Sequence, residues 1–191
     1  ADEVTNIALS GAPLLQVRSR NVPSVDLLLY RVDLMRLYLR DKDLSHATSV
    51  RLAGIEPTHQ RSLALEGDSF RERSTDISLP LQKPGAYLVM LKGEEADISA
   101  MVLYSDLDLE IQEDRSARRV RVTVTDPRGD PVEDAHVKVI GHGGGAIVSG
   151  DTDLRGVFAA DGVSGIPTVI ARKGEHYAFW RGPDVAPPPL N

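Results

Sequence analysis

The sequence of 191 residues contains no cysteine. Disulfides, thiolate zinc sites and thiol catalysis are therefore excluded within it. It also lacks any apolar run near the roughly 20 residues that a membrane-spanning helix needs. With 41% hydrophobic and 26% charged residues, the composition is that of a folded protein rather than a disordered tail.

Basic residues are fewer than acidic residues in this sequence. Lysine and arginine number 22 against 28 aspartate and glutamate residues, for a net charge of −6. Residues 1–105 hold 12 basic and 14 acidic side chains, and residues 106–191 hold 10 and 14. Neither half offers a basic stripe that would neutralise phosphates or anionic lipid, so we expect no nucleic-acid partner and no polybasic membrane contact.

Strand patterns dominate the first half. Apolar or alternating runs predict strands at residues 14–17, 25–32, 77–81, 86–91 and 98–104, with a weaker one at 62–66. Residues 33–40 suit a short helix with Asp33 as its N-cap, or a further strand. The polar stretch 41–76 is weakly patterned, and the sequence leaves open whether it is an ordered insertion or a loop.

The second half alternates more clearly. Val120, Val122 and Val124 alternate with polar residues, which predicts a strand with one buried face. Similar patterns follow at 135–139, 147–148, 157–158, 168–172 and 177–180, separated by turn residues. Together with the alternation at 107–111, about seven short strands predict a Greek-key sandwich. We therefore predict an all-β chain with two consecutive immunoglobulin-like β-sandwich modules, at residues 1–108 and 109–182, followed by a proline-rich linker or tail at 183–191.

Several segments together resemble the amino-terminal macroglobulin-type domains of bacterial alpha-2-macroglobulins. In the first half they are Asn21-Val22-Pro23, Tyr30-Arg31-Val32-Asp33, Leu79-Pro80-Leu81, Pro84-Gly85-Ala86-Tyr87-Leu88-Val89 and Val102-Leu103-Tyr104-Ser105-Asp106-Leu107. In the second they are Val122-Thr123-Val124-Thr125-Asp126, Gly129-Asp130-Pro131-Val132, Ala135-His136-Val137 and Thr152-Asp153-Leu154-Arg155-Gly156-Val157-Phe158. The second set is shared by other sandwich modules, so the combination carries the resemblance. It covers about residues 14–182.

The resemblance implies a non-catalytic structural and interaction module of an alpha-2-macroglobulin-like envelope or secreted protein. Such a module is part of the scaffold of a protease-trapping inhibitor. Its expected partners are other domains of the same larger chain and target proteases. The bait region and thioester cysteine of that family lie elsewhere in its chain, and nothing here matches them. Export to the periplasm or the extracellular space is expected, and the start at Ala1 suits either a removed signal peptide or a fragment.

Two motifs in the second half suggest more specific binding functions. Arg128-Gly129-Asp130 spells an integrin-recognition tripeptide, although a turn explains Gly129-Asp130-Pro131 equally well. Asp151, Asp153 and Gly156 resemble the start of a calcium loop, but Leu154, Arg155 and Phe158 stand where further oxygen ligands would be needed. We expect both segments to be structural turns.

The remaining candidates also have structural interpretations. His136 and His142, with the distant His176, lack the spacing of a zinc helix. The glycines of residues 141–145 precede a strand rather than the helix that a phosphate loop requires. Trp180 is expected in the core or at the contact with a neighbouring module.

We therefore predict no catalytic, cofactor-binding or metal-binding residue, no cofactor and no enzyme activity. The alternative function is a stand-alone adhesion or carbohydrate- or peptide-binding protein that uses loops such as 41–76 and 141–146.

Overall fold

The computed structural model describes residues 4–20, 22–41, 55–65, 73–94, 97–141 and 147–183. The chain divides into two compact units, residues 1–105 (unit 1) and 106–191 (unit 2). Both units are built from β-strands, which confirms the all-β prediction. The predicted module boundary after residue 108 and the predicted tail remain predictions. Much of the polar stretch 41–76, together with residues 184–191, lies outside the described residues.

The described strands of unit 1 form one five-stranded sheet and one two-stranded sheet. Its described strands are β1 (Val4–Ile7), β2 (Leu14–Ser19), β3 (Ser24–Val32), β4 (His59–Ala64), β5 (Arg73–Ser78), β6 (Gly85–Lys92) and β7 (Asp97–Tyr104). Five of them form a sheet in the order β1-β7-β6-β3-β4, in which only the β1–β7 pairing is parallel. The other two, β2 and β5, pair with each other.

Alternate side chains of these strands form the core of unit 1. Leu27 and Leu29 of β3 lie beside Val89 of β6 and Val102 of β7, and all four are at most 2% exposed. Leu15 and Val17 of β2 belong to the same cluster. The apolar run 25–32 is thus a buried central strand, as its composition predicts.

One short helix follows the central strand β3. Helix α1 spans Leu34–Asp41, and the carboxylate Oδ1 of Asp33 accepts a hydrogen bond from the backbone N–H of Arg36 at 3.2 Å. This is the N-cap geometry predicted for Asp33. Leu34 and Met35 are buried, so packing of the first turn adds to the effect of the cap.

Two features of unit 1 differ from the predicted strands. Strand β1 was not predicted, because its four residues pair in parallel with β7 nearly a hundred residues away. The predicted strand 77–81 ends at Ser78. Pro80 has no N–H to donate to a ladder, and the N–H of Leu81 bonds to the carbonyl of Leu79 at 2.8 Å in a local turn.

Unit 2 is a sandwich of two sheets. Its described strands are β8 (Asp108–Asp114), β9 (Arg119–Thr125), β10 (His136–Gly141), β11 (Ile147–Asp151), β12 (Val157–Asp161), β13 (Pro167–Lys173) and β14 (His176–Arg181). One sheet has the order β12-β9-β8 and the other the order β11-β10-β13-β14, and every pairing is antiparallel. The seven strands and their division into two sheets match the predicted immunoglobulin-like arrangement.

Every second side chain along these strands lies in the core of unit 2. Val120, Val122 and Val124 of β9 are at most 3% exposed, and Val137 and Val139 of β10 are fully buried. The polar residues between them lie on the outer faces, as the period of a strand requires. Among the described residues, no helix has the length and hydropathy to cross a membrane.

Candidate functional site

The Arg-Gly-Asp tripeptide lies at the tip of the turn between β9 and β10. The carboxylate Oδ1 of Asp126 accepts hydrogen bonds from the backbone N–H groups of Arg128 and Asp130, both at 2.9 Å. Gly129 has φ = +85° and donates its N–H to the carbonyl of Asp126. Aspartate and glycine are residues that such a turn selects. Arg128 and Asp130 are exposed, and the predicted turn is confirmed.

Asp153 organises the loop between β11 and β12. Its Oδ1 accepts hydrogen bonds from the backbone N–H groups of Arg155 and Val157, both at 2.9 Å. Its Oδ2 accepts from the guanidinium of Arg155 at 2.9 Å. The bond from Val157, followed by the bonds from Arg155, holds the pKa of the Asp153 carboxyl below its usual value. This carboxylate is already engaged by four protein N–H groups, so its oxygens are committed to the turn.

The two described histidines of unit 2 have separate partners. His136 of β10 faces Asp151 of β11 in the strand register, and its Nδ1 lies 2.8 Å from Oδ1 of Asp151. Both side chains are about half exposed or more. His176 instead accepts the backbone N–H of Asp106 at Nδ1, at 3.4 Å. Within the described ranges, no group of three or more histidine and acidic side chains is placed to hold a metal ion. His142 lies outside those ranges.

Two further carboxyl groups of unit 2, those of Asp161 and Asp114, have a pKa below the usual value. Asp161 and Arg119 face each other across β12 and β9, with Nε of Arg119 2.6 Å from Oδ1 of Asp161. This contact lowers the pKa of Asp161 and raises that of Arg119. The hydroxyl of Ser116 and the backbone N–H of Ala117 lower the pKa of Asp114. A general acid needs the opposite shift, so these carboxylates are suited to holding turns and strand pairs.

A cleft of about 380 Å³ opens at one end of unit 2. Its lining includes Arg115, Arg118, Ser164, Ile166 and Pro183. Among the described lining residues, Ser164 bears the one hydroxyl, and no histidine or carboxylate is present beside it to activate that hydroxyl as a nucleophile. The carbonyl of Arg118 accepts the N–H of Val163 at 3.0 Å, which joins the walls of the cleft. The charged groups among its described lining residues are Arg115 and Arg118, and Arg115 pairs with Glu113 at 3.4 Å.

Trp180 lies on β14, where it is partly buried and packs against the valine-rich core of unit 2. Its predicted core role is confirmed. The prediction that it contacts a neighbouring module remains a prediction.

Comparison with known proteins places this geometry in a structural context. No protein-family model matches the sequence, and no curated protein matches it. Solved structures of bacterial alpha-2-macroglobulins do match. An Escherichia coli fragment that spans domains MG0-NIE-MG1 aligns with a TM-score of 0.72 at 17% identity, over 95% of this chain and 62% of that one. The shorter NIE-MG1 fragment of the same protein aligns with a TM-score of 0.68 at 16% identity, over 93% of each chain.

A mutant of Salmonella alpha-2-macroglobulin aligns with a TM-score of 0.67 at 16% identity, over 95% of this chain but 11% of that one. This chain therefore spans under two thirds of the longer Escherichia coli fragment and a small part of the Salmonella chain. At 16–17% identity, these TM-scores show a shared fold and no more, and that fold confirms the resemblance drawn from the sequence. Across both units, the chain has the fold of macroglobulin-type domains of bacterial alpha-2-macroglobulin.

Proposed function

We propose that this chain is a non-catalytic structural and interaction part of an exported alpha-2-macroglobulin-like protein, in which it scaffolds a protease-trapping inhibitor. The observation that carries the proposal is the alignment of 95% of the chain, across both units, with a fragment of such a protein. On this proposal residues 1–108 and 109–182 are two modules of a longer chain. Their partners are its other domains and, through the assembled inhibitor, target proteases in the periplasm or outside the cell.

The chemistry of the polar groups supports a scaffold role. Asp126 and Asp153 hold backbone N–H groups of their own turns. Arg119 and Asp161 join two strands. Each of these side chains makes bonds within unit 2, and the proposal assigns no catalytic, cofactor-binding or metal-binding residue to the chain.

A deletion experiment on the complete gene product tests the proposal. The full protein and a form that lacks residues 1–191 would be incubated with an endopeptidase, and cleavage of a large protein substrate and of a small peptide substrate would be measured. A trapping inhibitor blocks the large substrate and spares the small one. We expect this selective block in the full protein and a weaker block, or an unstable protein, after the deletion.

A gene product that ends shortly after residue 191 and leaves both cleavage rates unchanged would contradict the proposal. It would favour the alternative, a stand-alone adhesion or carbohydrate- or peptide-binding protein.

A further inference from the structure

The turn between β9 and β10 is stabilised by the backbone of the Arg-Gly-Asp tripeptide and not by its side chains. The N–H groups of Arg128 and Asp130 bond to the carboxylate of Asp126, and the N–H of Gly129 bonds to the Asp126 carbonyl, each at 2.9 Å. The N–H of Asp126 bonds to the carbonyl of Asp130, also at 2.9 Å. The turn therefore explains why residue 126 is aspartate and residue 129 is glycine. It does not explain the arginine or the second aspartate.

The main chain of the tripeptide is fixed from both sides. Pro127 precedes the arginine and Pro131 follows the aspartate, and each proline restricts its own φ. Pro131 also forms an antiparallel bridge with Thr125. The next residue, Val132, donates its N–H to the carbonyl of Val124, whose side chain is fully buried in the core of unit 2. The backbone of such a turn loses little conformational freedom when it binds a partner.

The two charged side chains of the tripeptide do not pair with each other. Arg155 and Asp153, which are also two residues apart, form an ion pair at 2.9 Å. Arg128 and Asp130 form none, and in the part of the chain that the structure describes neither side chain has a hydrogen-bonding partner. Both residues are exposed. One rigid turn thus carries a cation and an anion that remain separate and available.

The chemistry of this pair defines what could bind it. A single aspartate carboxylate is a good ligand for a hard divalent cation whose other ligands come from another protein. An arginine guanidinium binds a carboxylate through two parallel hydrogen bonds. A partner that contacts both side chains must therefore combine a bound divalent cation with an acidic side chain. Integrins are the receptors that recognise an Arg-Gly-Asp sequence in this way.

We propose that the turn between β9 and β10 presents Arg128 and Asp130 to an integrin-type receptor, so that the chain is also a ligand for cell adhesion. The carboxylate of Asp130 coordinates a divalent cation held by the receptor, and the guanidinium of Arg128 pairs with an acidic group beside it. Asp126 keeps the turn in the binding conformation. This activity does not depend on protease trapping, and its test uses the 191-residue chain, so either proposal can fail without the other.

The direct test is binding of the 191-residue chain to the immobilised ectodomain of an Arg-Gly-Asp-binding integrin in a buffer that contains Mn²⁺, followed by biolayer interferometry. We expect saturable binding that is lost in EDTA. A linear peptide with the Arg-Gly-Asp sequence should compete, and the same peptide with glutamate in place of aspartate should not. No binding, or binding that persists in EDTA, would overturn the proposal.

The carboxylate is tested by a change of one methylene group. Asp130→Glu keeps the charge and the backbone but lengthens the side chain, and one methylene in a fitted site changes affinity by about tenfold or more. Glu133→Asp is the matched control, because it makes the reverse change at an exposed residue of the same connection. The control should bind within about twofold of the wild type. Equal binding by Asp130→Glu and the wild type would overturn the proposal.

The guanidinium is tested in the same assay. Arg128→Ala should weaken binding about tenfold or more, since a truncated arginine at the centre of an interface has an effect of this size. Arg121→Ala removes another exposed arginine, on β9, and should bind within about twofold of the wild type. If the two variants lose affinity equally, general charge attraction explains the binding and the proposed contact is wrong.

The role of the turn is tested at Asp126, which the receptor does not contact in this proposal. Asp126→Ala releases the N–H groups of Arg128 and Asp130, so we expect binding to weaken several-fold although the tripeptide is intact. Asp126→Asn keeps an acceptor oxygen and should lose less affinity. Wild-type binding by both variants would overturn the claim that the fixed turn presents the tripeptide. Urea unfolding followed by the fluorescence of Trp180 confirms that each variant is folded.

Discussion

The hydroxyl of Thr152 donates a hydrogen bond to the carbonyl of Val132 at 2.6 Å. The same oxygen accepts the backbone N–H of Ala135 at 2.9 Å, and the backbone N–H of Thr152 bonds to the carbonyl of Ala135 at 3.0 Å. Thr152 is 3% exposed. One buried threonine therefore fastens the turn before β10 to the loop after β11.

Thr152→Val should destabilise unit 2 by about 1–3 kcal/mol, because it leaves the buried N–H of Ala135 and the carbonyl of Val132 without the hydroxyl. Thr152→Ser, which keeps the oxygen, should cost less than Thr152→Val. Urea unfolding followed by the fluorescence of Trp180, the single tryptophan, reports on unit 2. A larger loss in Thr152→Ser than in Thr152→Val would show that the methyl group, which only Thr152→Ser removes, matters more than the hydrogen bonds.

Val122→Asp should unfold unit 2. Val122 is fully buried, and an unpaired carboxylate there costs several kcal/mol of desolvation. Arg121→Asp is the matched control, since it places the same carboxylate on the exposed face of the same strand. The free energy of unfolding of this control should lie within about 1 kcal/mol of the wild-type value. A folded Val122→Asp chain, judged by Trp180 fluorescence, would refute the register of β9.

His136→Ala should change stability little. The side chains of His136 and Asp151 are 45% and 64% exposed, and exposed ion pairs contribute about 0–1 kcal/mol. The urea midpoint of the variant should therefore stay close to that of the wild type. A loss above 2 kcal/mol would indicate that the pair has a structural role that its exposure does not suggest.

Gly156→Ala should be more damaging than Gly129→Ala, although both glycines have positive φ. A Cβ on Gly156 would lie 2.5 Å from the carbonyl oxygen of Val124 and 3.0 Å from the backbone nitrogen of Val132, whereas nothing lies within 4 Å of one on Gly129. Gly129→Ala should cost about 1–2 kcal/mol from backbone strain. Gly156→Ala adds a steric clash with the backbone, so the total loss of stability should be about 3 kcal/mol or more. Equal thermal shifts would contradict the close packing of this loop.

The stabilising effect of Asp153 should disappear in acid. Its pKa is lowered in the folded state, so its contribution is complete above the unfolded-state pKa of about 3.9 and is lost as pH falls through the folded value. The stability difference between the wild type and Asp153→Asn, measured by urea unfolding across this range, should shrink as pH falls. Since the backbone bond from Val157 is the largest single cause and does not depend on the Arg155 side chain, Arg155→Ala should retain part of the pH dependence. A difference that stays constant with pH would exclude the carboxylate charge as its source.

Periodicity predicted the strands of unit 2 because each covers one face of a sandwich and neighbouring strands are close in sequence. Val120, Val122 and Val124 repeat every second residue, and the Asp126 and Asp153 turns are local hydrogen-bonding patterns that sequence alone encodes. The Asp33 cap was predictable for the same reason.

Long-range pairing was not predictable in this way. Strand β1 has too few residues for a periodic signal, and its pairing with β7 spans most of unit 1.

The order of apolar and polar residues by itself determined that this is an all-β chain, with its turns and one helix cap, because those choices depend on neighbours a few residues apart. Only the tertiary structure decided which strands share a sheet and which carboxylates meet cations across strands. These outcomes depend on packing between segments far apart in sequence, where the cost of closing the intervening chain is repaid only by contacts that no local pattern contains.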